Sequence, residues 1–378
     1  MSAPIADLEF DLAIVGGGIV GLGVGWKLAR MGYEVLLLER GEVGAGASRA
    51  AGGMLAPTAE VQFHDGAMLE LQKRSLEMYP EFVRDIEDQT GVRAEFRKDG
   101  TLVVALDRDD DEAVERVFHY QQSLGLEVTR LGADEVQSLE PSLSRVYSAV
   151  LCEDDHQVNN SHLVDALLIG FLKEGGTLSE NSDVMAVHVE KGKTKGVVLS
   201  DGTIARASNV LVAAGAWSTG IENIPELAKT VLRPVRGQMI ALDGGSPPLI
   251  SRVVRGPDAY LVPKSDGSLI IGSTMEERGF DPSMTAGGIH DLLRGAWQVL
   301  PAIYEQSLRD MWTGFRPVTL DNHPILGPSA IPGLWIATGH SRHGILLAPI
   351  TAHLMTEMIH TGHVPDYGQA FSPARMLR

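Results

Sequence analysis

The strongest constraint on this chain is a glycine-rich turn, Gly16-Gly17-Gly18-Ile19-Val20-Gly21, set between an apolar run, Leu12 to Val15, and an apolar-periodic segment, Ile19 to Met31. That order reads as strand, tight turn and helix. In such a unit Gly16 makes the turn, Gly18 lets the backbone approach a pyrophosphate and Gly21 lets the helix pack on the strand, with the phosphate at the helix N-terminus. A second apolar run, Glu34 to Leu38, ends in Glu39. This carboxylate follows the first glycine by 39 − 16 = 23 residues, where a dinucleotide fold places an acid on the adenosine ribose hydroxyl. A phosphorylated ribose would meet like charge there, which disfavours NADP. A surface glycine turn is the competing reading, and strand, helix and acid in register weigh against it.

Composition narrows the classes further. With 44% hydrophobic and 21% charged residues over 378 positions, the chain reads as an ordinary folded protein with room for two cores. The formal charge, 32 − 49 = −17, repels nucleic acid and anionic membrane surfaces, and no basic run offsets it. Neither partner is expected. Cys152 is the only cysteine, so an intrachain disulfide is excluded, which suits a reducing compartment and makes the cytoplasm the expected location. Met1 to Asp11 is short and acidic, and no run approaches the roughly 20 apolar residues of a membrane span, so neither export nor an anchor is expected.

Later segments either complete the nucleotide-binding domain or build a second one. Asn209 to Ser218 and Gly333 to His340 are apolar runs closing on small residues, as buried parallel strands read, and the second opens into an apolar helix, Gly344 to Ile359. Between them lie alternating segments with tight-turn signals: Arg93 to Leu106 around Asp99-Gly100, Arg233 to Leu242, and Arg252 to Met275 around Ser265-Asp266-Gly267. These read as antiparallel hairpins. Asp109 to Leu124 and Gly287 to Leu300 read as amphipathic helices packed on that second sheet. The expected fold class is α/β, a Rossmann-type, doubly wound domain with a second α+β domain on an antiparallel sheet. Both are discontinuous, with residues 1–86, 145–225 and 310–378 in the first and 87–144 and 226–309 in the second.

Five segments in order, Gly16-Gly-Gly-Ile-Val-Gly21, Glu39-Arg40, Gly46-Ala-Ser-Arg-Ala-Ala-Gly-Gly-Met-Leu55, Gly314-Phe-Arg-Pro317 and Gly339-His-Ser-Arg-His-Gly-Ile-Leu-Leu-Ala-Pro349, carry a family resemblance. The chain resembles the FAD-dependent D-amino-acid oxidase superfamily, most closely the glycine oxidases of thiamine biosynthesis, from about residue 10 to the C-terminus. The resemblance implies a two-domain flavoenzyme whose first domain binds FAD noncovalently and whose second binds a small amino acid. It implies oxidation of an amine next to a carboxylate, giving an imine that hydrolyses, with molecular oxygen reduced to hydrogen peroxide. The cofactor residues it implies are Gly16, Gly18, Ile19, Val20, Gly21, Glu39, Arg40, Ala47, Ser48, Gly52, Gly53, Met54, Val184 and the run His340, Ser341, Arg342, His343, Gly344, Ile345 and Leu346. Tyr260, Arg316 and Arg342 are the implied substrate residues, and no metal is implied.

The residues can be weighed as chemistry too. Gly44 to Met54 is rich in glycine, alanine and serine, so backbone amides can approach a flat ligand unobstructed; a merely flexible loop is the alternative. His340 to Leu346 is expected to start a helix whose amides favour the anionic reduced flavin. His340 and His343 lack a third ligand nearby, which argues against a metal. Arg316 sits among apolar and small residues, Trp312 to Val318, where a guanidinium must meet an anion; either a substrate carboxylate or one of the 49 acids of the chain would serve. Tyr260 shares a face with Val262 on its strand and is either a carboxylate donor or a core aromatic. Met275 is either an apolar wall of the pocket or plain core, and Asp258, two residues before Tyr260 and so placed for the same face, is the one candidate acidic neighbour of the substrate amine, where this chain departs from relatives carrying a basic or neutral residue. No side chain is an evident general base, and none is required if the neutral amine passes hydride directly to flavin N5.

Three functions remain in view from sequence: an oxygen-using glycine oxidase, a D-amino-acid or secondary-amine dehydrogenase serving a quinone or protein acceptor, and a flavin-binding scaffold subunit. Two arginines and a tyrosine would be idle in a scaffold. Oligomeric state, with a homo-oligomer among the options, and the preferred small acid are open at this level.

Overall fold

The computed structural model describes residues 8–63, 65–228, 230 and 232–377. Met1 to Ala6 and Asp7, part of the acidic N-terminal stretch read above, lie outside them. The strand Glu9–Val15 alternates its side chains between two cores, as a strand buried on both faces must. Leu12 and Ile14 pack under the helices Ile19–Arg30, Gly66–Thr90, Asn160–Lys173 and Ala348–Thr361, while Phe10, Ala13 and Val15 pack with Val187 and Val197 of an antiparallel meander.

The first sheet runs in the order Ile325–Pro328, Leu334–Thr338, Ile204–Val212, Glu9–Val15, Val35–Leu38, Thr177–Ser179. All neighbours are parallel except Ile325–Pro328, and Ile14 stands level with Leu37 on one side and Leu211 on the other. Gly16 follows with φ +111°, and a Cβ there would lie 2.5 Å from the Ala213 carbonyl oxygen; a Cβ on Gly21 would lie 2.1 Å from the Gly16 carbonyl. Only glycine permits that close return of helix onto strand. Ligands of such sheets bind beyond the carboxyl ends of the strands, here at Gly16 and Ala213.

The second sheet has the order Leu308–Thr319, Leu232–Asp243, Ser268–Gly272, Tyr260–Pro263, Val253–Arg255, Thr101–Ala105, Ser148–Cys152, Val128–Gly132. Its pairs are antiparallel except Val253–Arg255 with Thr101–Ala105. The helix Ala286–Val299 covers one face through Leu292, Ala296 and Val299, and the other face turns toward the nucleotide-binding half.

Several local expectations need correction. Of the three hairpins, only the one around Ser265-Asp266-Gly267 forms as drawn; residues 93–100 make a single bridge, Arg97 to Gln157, and Arg233 to Leu242 lies inside one unbroken strand. Asp99-Gly100 leads into Thr101–Ala105, whose partners Ser148–Cys152 and Val253–Arg255 are distant in sequence. Ser148–Cys152 and Leu308–Thr319 pair in the second sheet, so the chain leaves it after residues 152 and 319 rather than at 145 and 310. Among the described residues no helix is long and apolar enough to cross a membrane.

Candidate active site

A cavity of about 1010 Å³ runs between the two sheets, at the upper end of the roughly 300–1,000 Å³ usual for ligand sites. Its far end is the glycine turn. The helix Ile19–Arg30 points its N-terminus into the cavity with no acidic residue in its first turn, and Ile19 N–H donates to Ser48 Oγ at 2.9 Å. Glu39 closes this end, its carboxylate accepting from Gly17 N–H at 2.8 Å and Gly41 N–H at 3.0 Å. Arg40 stacks over the Trp217 ring at 3.9 Å, and Val184 lines the wall beside it.

The middle is walled by Ala47, Ser48, Gly52, Gly53 and Met54 on one side and by the turn from His340 to Leu346 on the other. Ala47–Ala50 is one turn of helix, which Asn160 fixes by donating to the Ser48 and Arg49 carbonyls. Behind Gly52 lies a half-buried lysine that sequence reasoning missed. Lys264 Nζ donates to the Gly52 and Val158 carbonyls at 2.7 and 3.0 Å, and burial pushes its pKa down to about 7. The opposite turn is not the helix start expected: Ser341–His343 is a short 3-10 turn and the helix begins at Ala348. Burial pushes both His340 and His343 down to about 4, so both are neutral at neutral pH, and His340 Nε2 pairs with Thr351 Oγ1 rather than with a metal-ligand set.

The near end is built on the exposed face of the second sheet. Tyr260 stands opposite Gly272, and a Cβ on that glycine would lie 2.4 Å from the Tyr260 hydroxyl, so the phenol lies flat across the neighbouring strand. Arg316 likewise crosses its neighbour over Gly237, where a Cβ would be 2.4 Å from Nη1. Its fork donates to the Thr274 carbonyl and to Ser273 Oγ, and among the described residues no carboxylate pairs with it. Burial raises the Tyr260 pKa against the pull of Arg316, so the phenol keeps its proton and is a donor.

Every candidate residue lines this cavity except Gly21, which instead packs the helix onto the Gly16 carbonyl. Two further expectations are revised. Asp258 lines the mouth of the cavity, half-exposed and 3.5 Å from Arg294, and Met275 is 65% exposed at the rim rather than an inner wall.

A family model described as FAD dependent oxidoreductase matches residues 11–358. The chain belongs to that family. It is similar to the glycine oxidase of Geobacillus kaustophilus (strain HTA426), with 32% identity covering 93% of each protein, and a solved glycine oxidase structure from that species superposes with TM-score 0.89 at 30% identity over 97% of this chain and 99% of that one. It is also 36% identical over 362 residues to the bifunctional protein ThiO/ThiG of Nostoc sp. (strain PCC 7120 / SAG 25.82 / UTEX 2576), matching 92% of this chain but 52% of that protein. The chain thus spans about half the length of the ThiO/ThiG relatives it matches.

The residues present fit FAD. The glycine turn leaves no side chain between the first helix and a pyrophosphate, and Glu39 lines the same end of the cavity. The small residues at 47–53 leave a flat slot that ends beside Tyr260, whose ring would be 3.0 Å from a Cβ on Gly52. Sequence reasoning missed two charged residues at that end. Glu60 and Arg255 line the cavity, with Glu60 Oε1 3.1 Å from Arg255 Nη1 and Glu60 Oε2 3.0 Å from Arg342 Nε. Burial alone would raise the Glu60 carboxyl, but the Arg255 and Arg342 guanidinium groups hold it down at about 2. The turn that presents Glu60 is itself fixed by buried Asp155, which accepts from Thr58 and Ala59 N–H at 2.9 and 3.0 Å. Arg255 was legible, since it faces Tyr260 across a short hairpin; Glu60 had no local signal.

Proposed function

We propose that this protein oxidises glycine or a similarly small amine-bearing acid, such as sarcosine or a small D-amino acid. The imine leaves and hydrolyses, and molecular oxygen is reduced to hydrogen peroxide. The observation that carries the reading is Arg316: a guanidinium fork on the cavity floor, with carbonyl and hydroxyl partners and, among the described residues, no carboxylate. Such a fork matches a carboxylate with two parallel hydrogen bonds. Noncovalently bound FAD would supply the hydride acceptor at N5. The protein's part is positioning. Arg316 fixes the substrate carboxylate, the protonated Tyr260 hydroxyl donates to it, and together they set the Cα hydrogen toward the slot between Gly52-Gly53 and Gly344-Ile345. Arg342, steadied by Glu60, adds positive charge to the same end. No general base is needed for a neutral amine, because alignment at about 3–3.5 Å suffices for direct transfer. The likeness to glycine oxidases and to ThiO/ThiG proteins supports this substrate class and a place in thiamine biosynthesis.

The test is anaerobic mixing of the yellow protein with glycine, sarcosine and small D-amino acids, then admission of air with peroxide measured. Bleaching followed by stoichiometric peroxide is expected. Bleaching that reverses quickly only with a quinone or artificial acceptor assigns a dehydrogenase instead, and no bleaching with any of them overturns the reading.

A further inference from the structure

We infer that Arg255 and Arg342 form a second anion-recognition site in this pocket, so that the protein prefers amino acids carrying a second acidic group over those carrying one. The inference rests on the amine-oxidising reading above and narrows its substrate class, from single-acid amines such as glycine and sarcosine to those bearing a second acidic group. Arg255 stands directly opposite Tyr260 in the ladder between Val253–Arg255 and Tyr260–Pro263. Opposed residues of an antiparallel pair project from the same face, so Arg255 rises beside Tyr260 on the cavity floor. Arg316 approaches from the other side of Tyr260, over Gly237. The strands of Arg255 and Gly237 are three ladder steps apart, about 14 Å of sheet, with Tyr260 on a strand between them and the Arg316 fork over Gly237. On this inference one acidic group of a small molecule meets Arg316 and the other meets Arg255 and Arg342, all of which line the same cavity.

Charge points the same way. Arg255 and Arg342 share a single carboxylate within the cavity, Glu60, which leaves 2 − 1 = +1 among the side chains lining that side; Asp155, behind the Thr58–Ala59 turn and outside the cavity lining, is pushed up to about 7 by burial. His343, 3.6 Å from Glu60, is held neutral by burial and adds nothing, and Asp258 at the mouth is answered by Arg294. Arg316 supplies a separate +1. A structural ion pair needs one guanidinium per carboxylate; the second is surplus until a ligand arrives. Donors are also in surplus: Arg342 gives only Nε to Glu60, and Arg255 gives only Nη1, to Glu60 and the Ala59 carbonyl. Two nitrogens of each fork stay uncommitted among the described residues, and both side chains are about one-third exposed, within reach of a ligand in the cavity. A monoacid answers Arg316 alone, whereas a diacid answers both sites.

The second acid can hang from the nitrogen or from Cα, and matched pairs separate these sources: iminodiacetate against sarcosine, and D-aspartate against D-alanine. The readout is the ratio of anaerobic flavin-reduction efficiency, diacid over monoacid, in the parent and in Arg255→Gln. We expect a ratio above 1 for at least one pair in the parent and a fall of tenfold or more in the variant, with Arg255→Lys between them. Equal ratios in parent and variant for both pairs overturn the inference. If no amine bleaches the flavin, the functional reading fails separately, and binding still decides this one: malonate should perturb the flavin spectrum of the parent at a Kd at least tenfold below that of acetate, and equal Kd values overturn it.

Discussion

Replacing Gly237 by alanine separates the placement of Arg316 from its presence. The added methyl would sit 2.4 Å from Nη1 and 2.6 Å from Nη2, whereas ordinary contact begins near 3.4 Å, so the fork must retreat by at least 3.4 − 2.4 = 1.0 Å. The fold should accept this. Gly237 lies inside the extended strand Leu232–Asp243, where alanine is favoured over glycine by about 0.5–1 kcal/mol, and the clash falls on the far end of a flexible side chain rather than on backbone. Catalysis should not accept it. Misplacing a positioning group by about 1 Å costs on the order of 100-fold, or about 2.7 kcal/mol at 1.36 kcal/mol per decade. The assay is kcat/KM for the best small amino acid, with the flavin spectrum and Tm recorded alongside. We expect the two latter to hold while kcat/KM falls. A kcat/KM within about threefold of the parent refutes the claim that this glycine sets where the carboxylate is held, and a collapse in Tm refutes the claim that the strand tolerates the methyl.

Three further outcomes follow from the same geometry. Arg316→Lys replaces a fork by a point charge and should lower kcat/KM by about 2–3 kcal/mol, roughly 30- to 150-fold, with an unchanged flavin spectrum; a loss under threefold removes Arg316 from the substrate site. Gly16→Ala drives a methyl to 2.5 Å from a backbone carbonyl at φ +111°, so purified protein should carry little FAD by its absorbance ratio, and a normal flavin content would move the cofactor elsewhere. Burial pushes the Asp155 carboxyl up to about 7 against a value near 4 in the unfolded chain, so the folded state holds the extra proton between those values and stability falls as pH rises from about 4 to 7. Asp155→Asn should flatten that fall in Tm measured at pH 5 and pH 8, and an undiminished slope would assign it to another group.

What could be read in advance depended on whether the determinant was local. The turn at Gly16, the strand before it and Glu39 are one continuous stretch whose spacing encodes its geometry, and the hairpin at Ser265-Asp266-Gly267 carries its register in its own turn. The supposed hairpin at Asp99-Gly100 failed because turn chemistry says nothing of which strand will pair; Thr101–Ala105 finds its partners about 50 and 150 residues away. Glu60 and Lys264 were invisible for a related reason. A carboxylate flanked by alanine and valine, and a lysine before a turn, look like solvated charges until the loops fold over them. Asp258 shows the opposite error, since alternation along the Tyr260 strand does not extend two residues back into the loop that carries it to the rim.

The site owes its character to side chains lying across a rigid ladder. The chain carries −17 overall, yet the Tyr260 end of the cavity gathers Arg316, Arg255 and Arg342 against Glu60, with Asp258 at the mouth answered by Arg294, and at physiological ionic strength charges farther than about 8 Å are screened. An anion in the cavity therefore responds to the floor beneath it rather than to the acidic envelope. That floor is set by pairs. Gly272 stands level with both Tyr260 and Met239, and Gly237 with Gly314, so missing side chains on one strand make room for long ones from the next. Moving a fork by one residue along its strand would turn it to the opposite face of the sheet, which leaves cross-strand replacement as the route by which this pocket can change its preference without changing its backbone.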